Sequence, residues 1–248
     1  DHVITDKCVN EVNELANIVI LTGAGVSAES GLRTFRAEDG LWEDHRIEDV
    51  CTPDAYRRDP ALVQRFYDER RAKAAAVAPN AAHEALARLE AGWDGDFLLV
   101  TQNVDALHER AGSRRLIHMH GALDSGWCLA CGERFAWAGP MGLGARCPAC
   151  AAEGEVRPDI VWFGEMPYQM DAIDAAIRDC DLFVSIGTSG AVYPAAGFVQ
   201  TARYAGAKTV ELNLEPSLGS MYFDERRYGA ASVVVPAWVE EVHSSLRA

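Results

Sequence analysis

Four cysteines stand as two Cys-x-x-Cys pairs, Cys128/Cys131 and Cys147/Cys150, with fifteen residues between the pairs. Thiolates at this spacing can close a tetrahedron around zinc, and Gly132 supplies a tight turn behind the first pair. A site made of four thiolates is coordinatively full. It leaves no position for water or substrate, so the expected zinc, one per chain, is structural. Two disulfides are the competing reading; the absence of secretory marks and the odd total of seven cysteines argue against it.

A second pattern is Gly23-Ala24-Gly25, directly after the apolar run Ile18–Thr22. Glycines there let a backbone approach a pyrophosphate, and a following helix N-terminus favours its charge. The segment then departs from an ordinary dinucleotide turn: Gly31 breaks it, and Arg33-Thr34-Phe35-Arg36 follows. An acid that would bind ribose is expected about twenty residues on, at the end of a strand. Glu43 and Asp44 stand near that distance but in no strand context, so the role lies elsewhere, and Asn213, at the end of Thr209–Leu212 with Ser189 beside it, is a candidate. His118 and His120 are two apart and would share a face of a strand. No third metal ligand lies near them in sequence. A neutral histidine is the natural proton acceptor near pH 7. Tyr67 and Arg70, three apart, project from one face of an expected helix, a pairing that is usually only a solvated surface.

These residues need elements to hold them. Ile18–Thr22, Phe97–Thr101, Leu182–Ile186 and Thr209–Leu212 are short branched runs that end in loops of small or polar residues, as buried parallel strands do. Helical patterns over Asn80–Glu90 and Met170–Asp179 alternate with them. The expected fold is therefore α/β: a Rossmann-like parallel sheet with helices on both faces, its ligands at the carboxyl ends of the strands. Two stretches interrupt the alternation. Residues 38–77 read as helical, and residues 126–155 carry the cysteines with little periodicity. Both read as insertions that form a smaller zinc-binding and helical domain, leaving 1–37, 78–125 and 156–248 to the Rossmann-like domain.

The 248 residues are 49% hydrophobic and 24% charged, the profile of a globular protein. A net charge of −14 lacks the basic footprint that nucleic acid demands. The longest apolar runs are too short to cross a bilayer, and no signal peptide is visible. A reducing, cytoplasmic compartment is expected.

Taken in order, the Gly23–Gly31 stretch, Arg33–Arg36, Thr101–Asp105, His120-Gly121, the four cysteines, Val161–Glu165, Gly187–Ser189 and Asn213 resemble the sirtuin family of NAD-dependent protein-lysine deacylases. The resemblance spans roughly Leu21 to Val235. It implies that Gly23, Ala24, Gly25, Ser27, Thr34, Phe35, Arg36 and Trp42 hold NAD as a co-substrate, with Phe35 against the nicotinamide ribose. It implies a nicotinamide pocket of Gln102, Asn103, Val104 and Asp105, and an adenosine end at Gly187, Thr188, Ser189, Asn213, Leu214, Glu215 and Ala231. His120 becomes the catalytic base, assisted by Asn103 and Asp105, while His118 is structural. Val161, Phe163 and Gly164 on one edge, and Val192 and Tyr193 on the other, receive the acyl-lysine protein as an extended strand.

Tyr67 and Arg70 look like the Tyr-x-x-Arg signature of class III sirtuins, which remove succinyl and malonyl groups. Arginine can grip a distal carboxylate bidentately. Cys51 stands where those relatives usually carry alanine, and it narrows the expected acyl pocket. The implied products are nicotinamide, O-acyl-ADP-ribose and free lysine, from a monomeric enzyme. The alternatives are a sirtuin acting mainly as a deacetylase and, in a different class, an NAD-linked oxidoreductase. A non-enzymatic NAD- or zinc-bearing module is disfavoured by the presence of both His120 and Asn103.

Overall fold

The computed structural model describes residues 17–33, 41, 42 and 44–246. The described chain starts with β1 (Ile18–Thr22), a 3-10 turn over Ala24–Ser30, and a hairpin of β2 (Leu41–Trp42) and β3 (His45–Arg46). Helices α1 (Ile47–Val50), α2 (Pro53–Arg58), α3 (Pro60–Ala76) and α4 (Ala81–Ala91) follow, then β4 (Phe97–Thr101), α5 (Leu107–Ala111) and β5 (Leu116–His118). Next come β6 (Gly121–Cys128), β7 (Arg134–Ala136) and β8 (Val156–Ile160). The chain closes with α6 (Met170–Asp179), β9 (Leu182–Ile186), α7 (Phe198–Ala205), β10 (Lys208–Asn213), β11 (Glu225–Tyr228) and α8 (Ala231–Leu246).

Six strands form one parallel sheet in the order β5-β4-β1-β9-β10-β11. Numbered by their own sequence order they read 3-2-1-4-5-6, so the order reverses between β1 and β9 and a crevice opens there. Period-two alternation divides β1 between two cores. Ile18 and Ile20 pack with Leu86 and Leu89 of α4 and with Val235 and Trp238 of α8. Val19 and Leu21 pack with Ile173 and Ile177 of α6 and with Phe198 and Ala202 of α7. Both faces of the sheet are thus covered, which is why β1 reads as an unbroken apolar run.

A separate antiparallel sheet, β7-β6-β8, carries the cysteines at one end. Its other end packs on the helices before α4: Leu123 and Ile160 share a core with Val50, Ala55, Val63, Phe66 and Tyr67. The helix starts are set by their caps. The Thr52 side chain accepts from Ala55 N at 3.0 Å, and Asp59 accepts from Leu62 N at 3.0 Å with Pro60 in the first turn.

The structure amends the sequence reading in three places. β5 and β11 join the expected strands; both are edge strands, and Glu225–Tyr228 alternates in burial rather than running apolar. The first insertion is not helical throughout, because β2 and β3 precede α1. The cysteine segment is braced by strands β6 and β8 on either side, although its interior shows little periodicity.

Candidate functional site

Where β1 and β9 diverge, three glycines bring two backbones into contact. Gly25 N donates to Gly187 O at 2.8 Å, and Gly23 N donates to Ile186 O at 2.9 Å. A Cβ at Gly23 would lie 2.7 Å from Gly187 O, and one at Gly25 2.7 Å from Gly187 Cα. Gly187 itself has φ +63°, and a Cβ there would lie 2.5 Å from Val26 N. Only glycine allows this approach and this conformation. Gly187→Ala is expected to cost about 1–3 kcal/mol from the left-handed conformation alone, with the clash added. A thermal unfolding midpoint equal to that of the parent would refute this account of the turn.

Beyond the glycines lies a cleft of about 1030 Å³. Gly23, Ala24, Gly25, Ser27 and Trp42 line it, as do Gln102, Asn103, Val104, Asp105 and His120. Gly187, Thr188, Ser189, Asn213, Leu214, Glu215 and Ala231 form its far end, at the carboxyl ends of β9 and β10 and the start of α8. Thr34, Phe35 and Arg36, expected to close over this site, lie outside the described residues. Asp44, dismissed as a ribose ligand, sits in the hairpin at φ 67° and pairs with Arg33 at 2.9 Å.

The loop after β4 is held from two sides. Thr101 Oγ1 accepts from Asn103 N at 3.0 Å, and Asp105 Oδ1 accepts from Leu107 N at 3.0 Å. Ser27 Oγ donates to Asp105 Oδ2 at 3.1 Å and accepts from Asn103 Nδ2 at 3.2 Å. His83 completes the set. Its Nδ1 accepts from Asn80 N at 3.2 Å, so its proton sits on Nε2 and points to Ser27 Oγ, 3.3 Å away. Burial drives the His83 pKa down to about 4 and fixes the ring as neutral. Burial also raises the Asp105 pKa from its ordinary value, against the hydrogen bonds from Leu107 N and Ser27 Oγ, which lower it. Sequence reasoning missed His83. The available signal was its place three residues after Asn80, where the two form a reciprocal cap at the start of α4.

His118 and His120 do not share a strand face, because β5 ends at His118 and the chain turns. Each ring addresses the same loop. His120 Nδ1 lies 3.2 Å from Gln102 O, and His118 Nδ1 lies 2.9 Å from Asn103 O. Since a carbonyl only accepts, His120 carries its proton on Nδ1, and Nε2 keeps the lone pair. Burial lowers the His120 pKa below 6.5, so the ring is a neutral base near pH 7. His118 does not line the cleft.

The opposite wall is the segment Val161–Gly164, which reaches the cleft together with Val192 and Tyr193. Arg157, almost wholly buried, holds this segment. It grips Glu165 at 2.7 and 3.1 Å, donates to Ile160 O at 2.7 Å and lies 3.3 Å from the centre of the Trp162 ring. Glu165 in turn accepts from Trp162 N at 2.8 Å. Behind this wall the Tyr67 hydroxyl accepts from Trp162 Nε1 at 3.0 Å and donates to Cys51 Sγ at 3.3 Å. Cys51 and Arg70 line the cleft; Tyr67, fully buried, does not. The Arg70 guanidinium stacks 3.9 Å over the Phe66 ring and donates to Phe66 O at 2.8 Å.

The four cysteines converge away from the cleft. Cys128 and Cys150 Sγ are 3.8 Å apart, and Cys131 and Cys147 Sγ are 3.7 Å apart. All four sulfurs lie within 4.8 Å of one another. The edge of a tetrahedron with zinc–sulfur bonds of about 2.3 Å is about 3.8 Å, so the donor set fits zinc rather than two disulfides. Left-handed backbone at Gly132 (φ 79°) and Ala151 (φ 61°) turns the chain behind each pair.

The match to known families follows this geometry. The family model described as "Sir2 family" matches residues 23–194. The chain belongs to the Sir2 family. Among its Sir2 relatives, a Yersinia pseudotuberculosis protein named NAD-dependent protein deacylase is 59% identical over 238 residues, 95% of this chain and 86% of that one. A Bdellovibrio bacteriovorus protein of the same name is 59% identical over 227 residues, 91% of this chain and 96% of that one. A solved Sir2 homologue in complex with NAD is 36% identical, covers 98% of this chain and 96% of its own, and superposes with a TM-score of 0.88. A Sir2 structure bound to a myristoylated histone peptide is 33% identical, covers 96% and 95%, and gives a TM-score of 0.74.

Proposed function

We propose that this Sir2 protein is an NAD-dependent protein-lysine deacylase that takes acidic acyl groups, succinyl and malonyl, as well as acetyl. The observation that carries the reading is a single cleft that joins the glycine crossing of β1 and β9 to a neutral buried histidine and to the wall Val161–Gly164. NAD, when bound, supplies the ribose carbon that captures the acyl oxygen as nicotinamide leaves. Asn103 and Asp105 hold the departing carboxamide, and their shared bonds to Ser27 fix them before it arrives. His120 Nε2 takes the proton of a ribose hydroxyl, while its Nδ1–H stays on the Gln102 carbonyl. The acyl-lysine peptide lies extended between the Val161–Gly164 segment and Val192–Tyr193. The products are nicotinamide, O-acyl-ADP-ribose and free lysine.

Arg70 stands on the cleft wall, where it can meet a distal carboxylate. Tyr67 reaches such a group only by turning its hydroxyl away from Cys51. We assign the parallel sheet and its flanking helices to the NAD-binding domain, and α1–α3 with the sheet β7-β6-β8 to the smaller one; the expected bounds at 125/126 and 155/156 divide β6 and part β8 from its sheet. We also infer a cytoplasmic monomer, and the net charge of −14 argues against nucleic-acid partners. No helix among the described residues is long and apolar enough to cross a membrane.

The test is incubation with NAD and succinyl-, malonyl- and acetyl-lysine peptides, reading products by mass. Nicotinamide and acylated ADP-ribose are expected; reduced cofactor in their place would mean an oxidoreductase. In the same assay Arg70→Met should lower kcat/KM for succinyl peptide by about 10- to 150-fold, the range of one charge-assisted hydrogen bond. Acetyl turnover should change only a few-fold. Equal losses on both peptides would remove Arg70 from acyl selection.

A further inference from the structure

The ring of His118 lies between two acceptors. Nδ1 is 2.9 Å from Asn103 O, and Nε2 is 2.5 Å from Glu109 Oε1. A carbonyl and an ionised carboxylate both lack a proton to give, and a neutral imidazole has only one N–H. Satisfying both partners therefore takes two protons on the ring. We propose that His118 is a positioning residue which, protonated on both nitrogens, ties the Asn103 carbonyl to Glu109 and so sets the nicotinamide-side loop for NAD.

The surroundings agree. Burial works against a charge on His118, but the Glu109 carboxylate and, behind it, the Asn103 carbonyl and the Asp105 charge outweigh it and raise the pKa above 6.5. The other titratable neighbour is His108 of α5, held neutral: burial first, then repulsion from a protonated His118 ring, drives its pKa well below 6.5. Asn103 is then pinned at both ends, its carbonyl by His118 and its side-chain amide by Ser27 Oγ at 3.2 Å. His118 lies outside the cleft and acts only through Asn103. The sign of the pH effect follows. A raised pKa means the tie is complete at low pH and is lost as pH rises through the folded value. The bare nitrogen then faces either the carbonyl or the carboxylate.

The proposal rests on Asn103 contacting NAD, so the experiment separates the two. Histidine 15N resonances are titrated in the parent, Glu109→Gln and Glu109→Asp, and NAD affinity is measured by calorimetry on these and on Asn103→Ala. In the parent, His118 should titrate above 6.5 with both nitrogens protonated below its midpoint. Glu109→Gln should lower that midpoint by about 1 unit or more. It should weaken NAD about tenfold, with KM for NAD rising more than kcat falls. Glu109→Asp, which keeps the charge, should recover most of the affinity. A parent midpoint at or below 6.5, or unchanged NAD affinity in a folded Glu109→Gln protein, would overturn the proposal. If Asn103→Ala also leaves NAD affinity unchanged, the assignment of the loop to NAD falls with it.

Discussion

Replacing His120 by alanine should lower deacylase turnover by about three orders of magnitude while NAD affinity stays within a few-fold. The ring has one bond to the protein that fixes its chemistry, Nδ1 to Gln102 O at 3.2 Å, and that bond leaves Nε2 as the only available base. Alanine removes the base and frees one carbonyl, which water entering the open cleft can satisfy. The fold should tolerate this, because the β4–β5 pairing and the bonds through Ser27 do not pass through His120. The pH profile gives an independent check. Burial lowers the His120 pKa, and the working form is the neutral one, so turnover should hold as pH falls through 6.5 and drop only below the lowered value. That acid limb should vanish from the residual activity of the variant. Near-normal turnover of His120→Ala, or an unchanged acid limb, would mean that another group takes the proton.

The sequence carried the parts of this site that local chemistry dictates. β1, β4 and β9 were legible because central parallel strands are buried on both faces and run almost wholly apolar, with Ser185 the one polar interruption within β9. The cysteine spacing was legible because a metal needs its ligands on two tight turns, which a short motif can encode. β5 and β11 were hidden by being edges: Glu225-Arg226-Arg227-Tyr228 has no apolar run to detect. The network around Ser27 was hidden for a different reason. Its partners come from two separate places, His83 from α4 and Asn103 and Asp105 from the loop after β4, and only the parallel pairing of β1 with β4 and the packing of α4 bring them to Ser27. Tyr67 shows both sides of the matter. That it shares a helix face with Arg70 follows from helical spacing, but the burial of that face and the engagement of its hydroxyl by Trp162 and Cys51 depend on how β8 and the loop after it pack.

Removal of the metal should disable the enzyme although no cysteine of the cluster touches the cleft. The core beside the four sulfurs is small: Met141, Ala145 and Val156 are buried there, with Phe135 and Trp137 half-covered. Glycine-rich chain between the two cysteine pairs cannot be ordered by so little apolar surface, and a structural zinc contributes about 10–16 kcal/mol of apparent binding energy to such a segment. The loss should travel to the site along two strands. β6 begins at Gly121, next to His120, and β8 ends at Ile160, next to Val161. The two ends pair as Gly121 with Ile160, and Val161 N donates to His120 O at 2.9 Å. A Cβ at Gly121 would lie 2.0 Å from Asp159 O, so the strands meet here without slack. Elemental analysis should find one zinc per chain. Chelation, or Cys147→Ala, should remove it, lower the unfolding midpoint by many degrees and reduce deacylation, while the glycine crossing between β1 and β9 still binds ADP-ribose. A zinc-free protein that unfolds and turns over like the parent would show that the sheet β7-β6-β8 holds the base and the substrate wall on its own.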